Sequence, residues 1–433
     1  MTEQMGFMEK ILLKNADVPD INDIDVYVAH GGYKSLDKAF QMGPAAVLEE
    51  VKRSGLRGRG GAWFPAGMKW QFCVEVNKFP KYLIANADEG EPATFKDRPF
   101  LEKDPHQLIE GMIVSAYAIG ASKGYIYLRG EYPTGYKVLN AAIDQAYKKN
   151  MLGQHIKGAD FSFDLAVHRG AGAYICGEAS ALIESLEGKR GQFRVRPPYM
   201  ATHGAFGMPT VVNNVETLVN VSHIINGGAD WWGSIGSKDS PGPKIFGISG
   251  HLQRPGLYEL PMGVTLRELI YEYGGGIKDG RELKAVIPGG VSTAMLTPEH
   301  LDIKMDVKSL QAAGSAIGSG ATTVMSEDAC VVHMVWRAMA FFYHESCGRC
   351  TPCREGTDWM VKILARIENG AGRTEDLKIL EDVCHTIHNN CFCPLGEGAV
   401  NPVLSSLKYF RQDFEEHIRT RGCPKGLRAR ARH

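Results

Sequence analysis

The chain has 433 residues, 44% of them hydrophobic and 23% charged, the balance of a globular protein large enough for two to four domains. Lys+Arg and Asp+Glu each number 49, which excludes a nucleic-acid binder held by a bulk basic field. No apolar run reaches the ~18 residues that a transmembrane helix needs, so no direct membrane insertion is expected. The opening MTEQMGFMEK has acidic residues and no long apolar segment, unlike a secretory signal, so an intracellular protein is expected.

Residues 1–240 alternate helical and strand-like segments. Ala45–Arg53 reads as a helix, and Lys81–Ala85 as a short apolar strand ending at polar Asn86 and Asp88. His106–Ala121 reads as a long apolar helix, Gly124–Leu128 as a strand, Tyr136–Lys149 as a helix and Phe161–Val167 as an alternating strand. Strands separated by helices predict a parallel, doubly wound, Rossmann-like α/β sheet. Gly227–Pro243 is a Gly-, Ser- and Pro-rich break. Residues 241–325 follow with strand candidates at Lys244–Ser249, Gly256–Leu260 and Lys284–Ile287. A capping-box pattern from Thr265 to Glu268 opens a short helix between the second and third of these, so a small β-grasp-like α+β unit is expected. Residues 326–420 carry four helical segments, Glu327–Glu345, Arg354–Asn369, Thr374–His388 and Ala399–Thr420, and predict a four-helix bundle. The tail, 421–433, is basic and lacks an apolar period, so disorder or a basic contact strip is expected.

Ten cysteines in an intracellular chain point to metal or redox chemistry rather than disulfides. Cys347-Gly-Arg-Cys350-Thr-Pro-Cys353 places three thiols on one turn, and Cys393-Pro394 follows about forty residues later. A local triplet with a distant fourth cysteine fits [4Fe–4S] better than zinc, which more often uses two separated pairs. Cys391 competes with Cys393 for the fourth position, with Cys393 mildly favoured by spacing. Cys73, Cys176, Cys330 and Cys423 are scattered and read as buried or incidental thiols.

Three further segments suit a nucleotide or flavin. Gly58-Arg59-Gly60-Gly61 lets backbone amides approach a phosphate, with Phe64, Lys69, Trp70 and Phe72 close behind. Asn86–Pro92 directly follows a strand, where ligands of open α/β sheets bind. Gly170–Glu178 also lies between a strand and a helix, but it lacks the ordinary dinucleotide spacing. Asn213 and Asn214 offer two amides, either to a flavin edge or as a helix cap.

Together these segments resemble the 51-kDa-type flavoprotein subunit of respiratory complex I. The matching motifs are Gly58–Gly61, Asn86–Pro92, Thr94–Arg98, Arg129–Tyr132, Gly170–Glu178, Glu187–Arg190, Val211–Thr217, Glu345–Arg354 and Cys393–Gly396, spread from about residue 50 to 415. The resemblance implies hydride transfer from NADH to FMN, then single-electron transfer to a [4Fe–4S] cluster. It implies cofactor contacts at Gly58, Arg59, Gly60, Gly61, Gly67, Lys69, Asn86, Asp88, Glu89, Tyr174, Gly177, Glu178, Asn213, Asn214 and Thr217. NADH contacts would come from Phe64, Phe72, Glu91, Glu178, Arg196 and Tyr199. The cluster ligands would be Cys347, Cys350, Cys353 and Cys393, which resolves the fourth position. It also implies a small [2Fe–2S] thioredoxin-like partner, a larger iron–sulfur partner, and a cytoplasmic place in the peripheral arm of an inner-membrane complex. The flavin component of a soluble NAD-linked hydrogenase or formate dehydrogenase is a rival reading. The chain departs from the family at Trp63 and Ala93, where glycine is usual, and at Ala179, where glutamate is usual. A ring at Trp63 is expected beside the nucleotide cavity, and Ala179 removes a carboxylate expected near the adenosine ribose.

Overall fold

A computed structural model describes residues 9–429; the opening residues read for a signal, 1–8, and the end of the tail, 430–433, lie outside it. Three helices, α1 (Ile24–Ala29), α2 (Lys34–Met42) and α3 (Pro44–Arg53), lead into the glycine-rich loop and α4 (Ala66–Val74). Then come β1 (Tyr82–Ala87), α5 (Arg98–Glu102), α6 (Pro105–Ile119), β2 (Lys123–Leu128), α7 (Pro133–Lys148) and β3 (Asp164–Arg169). The first unit closes with α8 (Ala179–Leu186), α9 (Met200–His203), β4 (Thr210–Asn214), α10 (Val215–Gly227) and α11 (Ala229–Gly233).

The sheet order is β3-β2-β1-β4, with every pairing parallel and Tyr82 in register with Lys123 and Thr210. Alternation along β1 divides two cores. Leu83, Ala85 and Ala87 join a core with α6, α7 and α10, whereas Tyr82 and Ile84 join one with α8 and the C-terminal helices. The sheet is therefore covered on both faces, and its carboxyl edge is left as the natural place for a ligand.

A short hairpin, β5 (Gly236–Ser237) and β6 (Ser240–Pro241), precedes β7 (Pro243–Gly250), β8 (Gly256–Pro261) and β9 (Leu283–Ile287). The predicted capping box forms: Thr265 Oγ1 accepts from the Glu268 amide at 3.1 Å, and Glu268 Oε2 accepts from the Thr265 amide at 2.6 Å. After α12 (Val307–Ala312) the chain adds β10 (Ala321–Ser326), giving the order β8-β7-β10-β9. β10 was not expected. Its sequence, ATTVMS, is flanked by glycine and has no strong alternation, yet it lies at the centre of this sheet.

The C-terminal helices are α13 (Val331–Glu345), α14 (Thr351–Glu368), α15 (Glu375–Ile387), α16 (Leu395–Tyr409) and α17 (Arg411–Thr420). The segment expected as one helix over Ala399–Thr420 is divided at Phe410, whose φ of −130° leaves the helical region. In the tail, residues 424–428 are exposed, while Ala429 is 8% exposed and its carbonyl accepts from Asn369 Nδ2 at 3.0 Å.

Candidate functional site: a strand-end pocket beside a cysteine cluster

The carboxyl ends of β1 and β4 bring several of the expected residues together. Asn86 donates to the Gly177 carbonyl at 2.8 Å, which ties the first strand to the second glycine-rich segment. Trp70 Nε1 donates to Asn213 Oδ1 at 2.9 Å, and Lys69 donates to the Val212 carbonyl at 3.0 Å. Burial, with Arg196 adding, pushes the Lys69 ammonium down to about 8. Burial pushes the Asp88 carboxyl up to about 8 against the pull of Arg129, with Glu131 and Glu345 adding. Asp88 Oδ2 is buried and has no hydrogen-bond partner among the described residues. A Cβ on Gly60 would lie 3.0 Å from Asn214 Cβ, and Gly61 has φ +119°, so this loop needs glycine to pass the strand ends. An orphaned acid, a partly desolvated lysine and a loop cleared of side chains fit a polar, phosphate-bearing aromatic cofactor such as FMN.

Phe64, Phe72 and Tyr199 are exposed, and the two phenyl rings lie 6.5 Å apart. Glu178 is the N-cap of α8, accepting from Ser180 and Ala181 amides, and it pairs with Arg196 at 2.7 Å. Tyr174 links the pocket to the rest of the molecule. Its hydroxyl donates to Glu91 Oε2 at 2.6 Å, its amide donates to Glu345 Oε2 at 2.9 Å, and its ring meets Phe341 edge-on at 5.0 Å. Glu91 also accepts from the Ser292 amide at 2.8 Å, so one carboxylate joins the pocket to the second sheet unit.

Other expected contacts have different work here. Arg59 is fully buried: Nη2 donates to the Pro241 carbonyl at 2.8 Å, and the guanidinium lies 4.8 Å over the Trp63 ring. The Thr217 hydroxyl accepts from the Arg59 amide at 2.8 Å. The Glu89 carboxylate accepts from the Asp97 amide at 2.9 Å and the Tyr132 hydroxyl at 3.1 Å, inside the protein. A Cβ on Gly67 would lie 3.0 Å from the Lys52 amide, so that glycine serves the approach of α4 to α3. Asn214 caps α10 and bonds Asp97 and Lys96, the second of the two uses its sequence allowed. Trp63 does not line the cavity as expected. It is 5% exposed, packs with Phe246, Ile248 and Ile317 of the second unit, and donates to the Gly318 carbonyl at 2.8 Å.

A buried ionic network beneath the pocket was not anticipated. Lys96 Nζ lies 2.7 Å from Asp97 and 2.9 Å from Glu216, and Lys244 Nζ lies 2.8 Å from the same Glu216 oxygen. Lys244 comes from β7, so Glu216 bridges the two sheet units. Lys96 stood in a recognised motif without an assigned role, and nothing local in the sequence marks Lys244.

The second group of chemistry-bearing residues is the cysteines. Cys350 is the N-cap of α14 and Cys353 lies in its first turn, while Cys391 and Cys393 immediately precede α16. All ten cysteines are free thiols. A hydrogen bond from Cys391, with further bonds from Ser346 and Cys350, holds the Cys353 thiol down to about 7. Burial pushes Cys393 up to about 12, and the nearby Cys347, Cys353 and Cys350 thiols add to it. Arg190 donates to the Cys347 carbonyl at 3.0 Å, and Arg349 donates to the Phe193 carbonyl at 2.7 Å, which fixes the turn to the segment after α8. Five convergent thiols fit an iron–sulfur cluster. The Tyr174 amide is held by Glu345, two residues before Cys347, so Tyr174 ties the pocket to the segment that leads into the cysteine turn.

Comparison with known proteins gives the same two centres. A model of the Nuo51 FMN-binding domain matches residues 51–223, an SLBB domain matches 244–321, and the NADH-ubiquinone oxidoreductase-F iron–sulfur binding region matches 333–417. The second NADH-quinone oxidoreductase F protein of Rhizobium meliloti (strain 1021) is 53% identical over 96% of this chain and 99% of its own length. The HndC component of the NADP-reducing hydrogenase of Solidesulfovibrio fructosivorans is 45% identical over 96% of this chain and 84% of its own. The crystal structure of an NAD⁺-reducing [NiFe]-hydrogenase in the H₂-reduced state superposes with TM-score 0.82 at 41% identity, covering 89% of this chain; the chain spans 65% of that larger one. The chain belongs to the NADH-quinone oxidoreductase F family, the NADH dehydrogenase components that carry FMN and a [4Fe–4S] cluster.

Proposed function

We propose that the pocket at the ends of β1 and β4 receives NADH, and that electrons leave through a cluster held by Cys347, Cys350, Cys353 and Cys393. The observation that carries this reading is Tyr174, which bonds Glu91 at the pocket through its hydroxyl and Glu345, just ahead of the cysteine turn, through its amide. FMN, when bound, supplies two-electron acceptance and one-electron release. The chain supplies position. Gly60 and Gly61 give amides and clearance, while the Gly58 amide closes the loop on the Phe64 carbonyl at 2.9 Å. Lys69 gives a cation, while Asn86, Asp88, Gly177 and Asn213 line the strand ends. Phe64, Phe72 and Tyr199 offer flat exposed faces to an adenine, beside the Glu178–Arg196 pair. Domain limits near residues 240 and 325 follow the change from one sheet to the next and then to helices.

Relatives in the F family belong to a multisubunit NADH-quinone oxidoreductase, so partners are required. We assign a small [2Fe–2S] thioredoxin-like protein and a larger iron–sulfur protein as those partners. No described helix is long and apolar enough to cross a membrane, which suits a cytoplasmic peripheral arm of an inner-membrane complex. The HndC likeness supports a second reading, in which the flavin chain serves a hydrogenase. Co-purification of the native chain separates the two, because the first requires quinone-reductase partners and the second hydrogenase partners. Anaerobic NADH titration tests the site itself. Flavin absorbance should bleach and a reduced-cluster paramagnetic signal should appear; unchanged flavin under excess NADH rejects the reading.

The Ala179 departure makes a prediction here. Ala179 opens α8, and neighbouring Glu178 is already engaged by the helix amides and Arg196. A glutamate at 179 should accept a bond from an adenosine 2′-hydroxyl and repel a 2′-phosphate, an effect on the order of 1.5–3 kcal/mol. The wild type should prefer NADH by a modest ratio, and Ala179→Glu should raise that ratio about tenfold or more. Steady-state kcat/KM for NADH and NADPH measures it, and an unchanged ratio means that position 179 does not sense the ribose.

Asp88 makes another. Its folded value of about 8 lies above the ordinary 3.8, so the folded state holds a proton that the unfolded state releases. That contribution is complete below the unfolded value and is lost as pH rises through about 8. In flavin-free protein, Asp88→Asn should therefore raise the melting midpoint more at pH 8.5 than at pH 5, by about 2–5 °C. Equal shifts at both pH values would reject a neutral buried acid.

A further inference from the structure

Four metal-ligating side chains meet at the far end of the bundle, apart from the redox path. Cys330 is the N-cap of α13, Glu368 ends α14, His417 lies on α17 and Cys423 follows α17. Their ligand atoms all lie within 4.8 Å of one another. Cys330 Sγ is 3.6 Å from Cys423 Sγ, 3.3 Å from His417 Nε2 and 4.0 Å from Glu368 Oε2. His417 Nε2 is 3.4 Å from Glu368 Oε2. With metal–ligand bonds of ~2.0–2.3 Å, a tetrahedral zinc ion requires ligand-to-ligand separations of roughly 3.3–3.8 Å. Three of these separations, 3.6, 3.3 and 3.4 Å, fall in that range, and the Cys330–Glu368 separation of 4.0 Å lies just outside it.

The surroundings are those of metal ligands. His417 Nδ1 faces the Asp413 carbonyl at 2.6 Å, which leaves Nε2 free to coordinate. The second Glu368 oxygen lies 2.9 Å from His333 Nδ1. The His333 amide donates to Cys330 Sγ at 3.3 Å. Glu368 is 1% exposed and His417 3%, so an isolated carboxylate here would be poorly solvated. Two thiols, an imidazole and a carboxylate are a zinc donor set, and the four come from four separate segments.

We propose that Cys330, Glu368, His417 and Cys423 form a structural zinc site that clamps the C-terminal tail to the helical bundle. The two cysteines are therefore not incidental. The site closes α13, α14 and α17 onto the segment that continues to Ala429, and with four protein ligands it has no open position for catalysis.

The test counts zinc and iron by mass spectrometry in the purified full chain, in Cys423→Ser and in His417→Gln. Wild type should hold ~1 zinc beside ~4 irons. Both variants should lose zinc on the order of tenfold or more while keeping iron and flavin. The zinc absorption edge of wild type should report two sulfur and two nitrogen or oxygen neighbours, a result independent of how well either variant folds. A zinc-free wild type overturns the proposal, whether Cys330 and Cys423 are thiols or a disulfide. So does an all-sulfur shell, which would place zinc at the Cys347–Cys393 group, or zinc retained by both variants.

Discussion

Replacing Glu216 by Gln should destabilise the folded chain by about 3–5 kcal/mol, because it leaves two buried lysines without their shared counter-charge. Lys96, Lys244 and Glu216 are each 2% exposed or less, so water cannot screen the loss. Glu216 also accepts from the Ile245 amide at 3.0 Å, and that oxygen is part of what holds β7 to α10. The two lysines hold the Glu216 carboxyl down to about 2 against the opposing push of burial. A depressed acid stabilises above its unfolded value and ceases to do so as pH falls through its folded one, so its contribution is complete at pH 7. Denaturant unfolding at pH 7, followed by tryptophan fluorescence, measures the loss. A second substitution, Lys244→Met, should recover part of it by removing one orphaned charge. A midpoint unchanged in Glu216→Gln, or a double variant as unstable as the sum of both singles, would contradict this account.

Cys393→Ser should abolish the cluster and electron delivery beyond the flavin, whereas Cys391→Ser should keep both. Cys393 precedes Pro394 at the start of α16 and stands near all three thiols of the turn. Cys391 is the rival because its thiol bonds Cys353, and a Cβ on Gly396 would come within 2.6 Å of its sulfur. Its sulfur thus lies against the first turn of α16 as well as against the turn thiols. Iron content should fall from ~4 per chain to near zero in Cys393→Ser, and the paramagnetic signal should vanish with it. Flavin reduction by NADH should persist, because the pocket residues lie on the first unit and not on the helices that carry Cys393. Loss of iron in Cys391→Ser with retention in Cys393→Ser would reverse the assignment.

Much of this was legible because its signals are local. The parallel sheet, the first three strands of the second unit and the cysteine turn each announce themselves within about ten residues, through alternation, capping or spacing. β4 and β10 were missed for a shared reason. Val211–Thr217 was read for its amides and Ala321–Ser326 was not read at all; β4 gains its strand character from β1, and β10 from β7 and β9. The resemblance supplied the list of candidate site residues. It did not separate residues that face a ligand from those that support the loop, such as Arg59, Gly67, Glu89 and Thr217. That difference lies in tertiary contacts, from Gly67 against Lys52 to Arg59 against Thr217, 158 residues apart. The ionic network and the second cysteine group were invisible for the same reason.

The attachment of the glycine-rich loop has a thermodynamic consequence. Arg59 bonds Pro241, and Trp63 bonds Gly318 while packing among Phe246, Ile248 and Ile317. A loop pinned in this way loses its conformational entropy when the chain folds, not when a ligand arrives. Trp63 holds φ at +54°, where glycine would relax the backbone but surrender the anchor. Preorganisation is therefore built from outside the pocket, and a lesion in the second sheet unit should appear first as faster escape of the bound ligand, with the pocket's own side chains untouched.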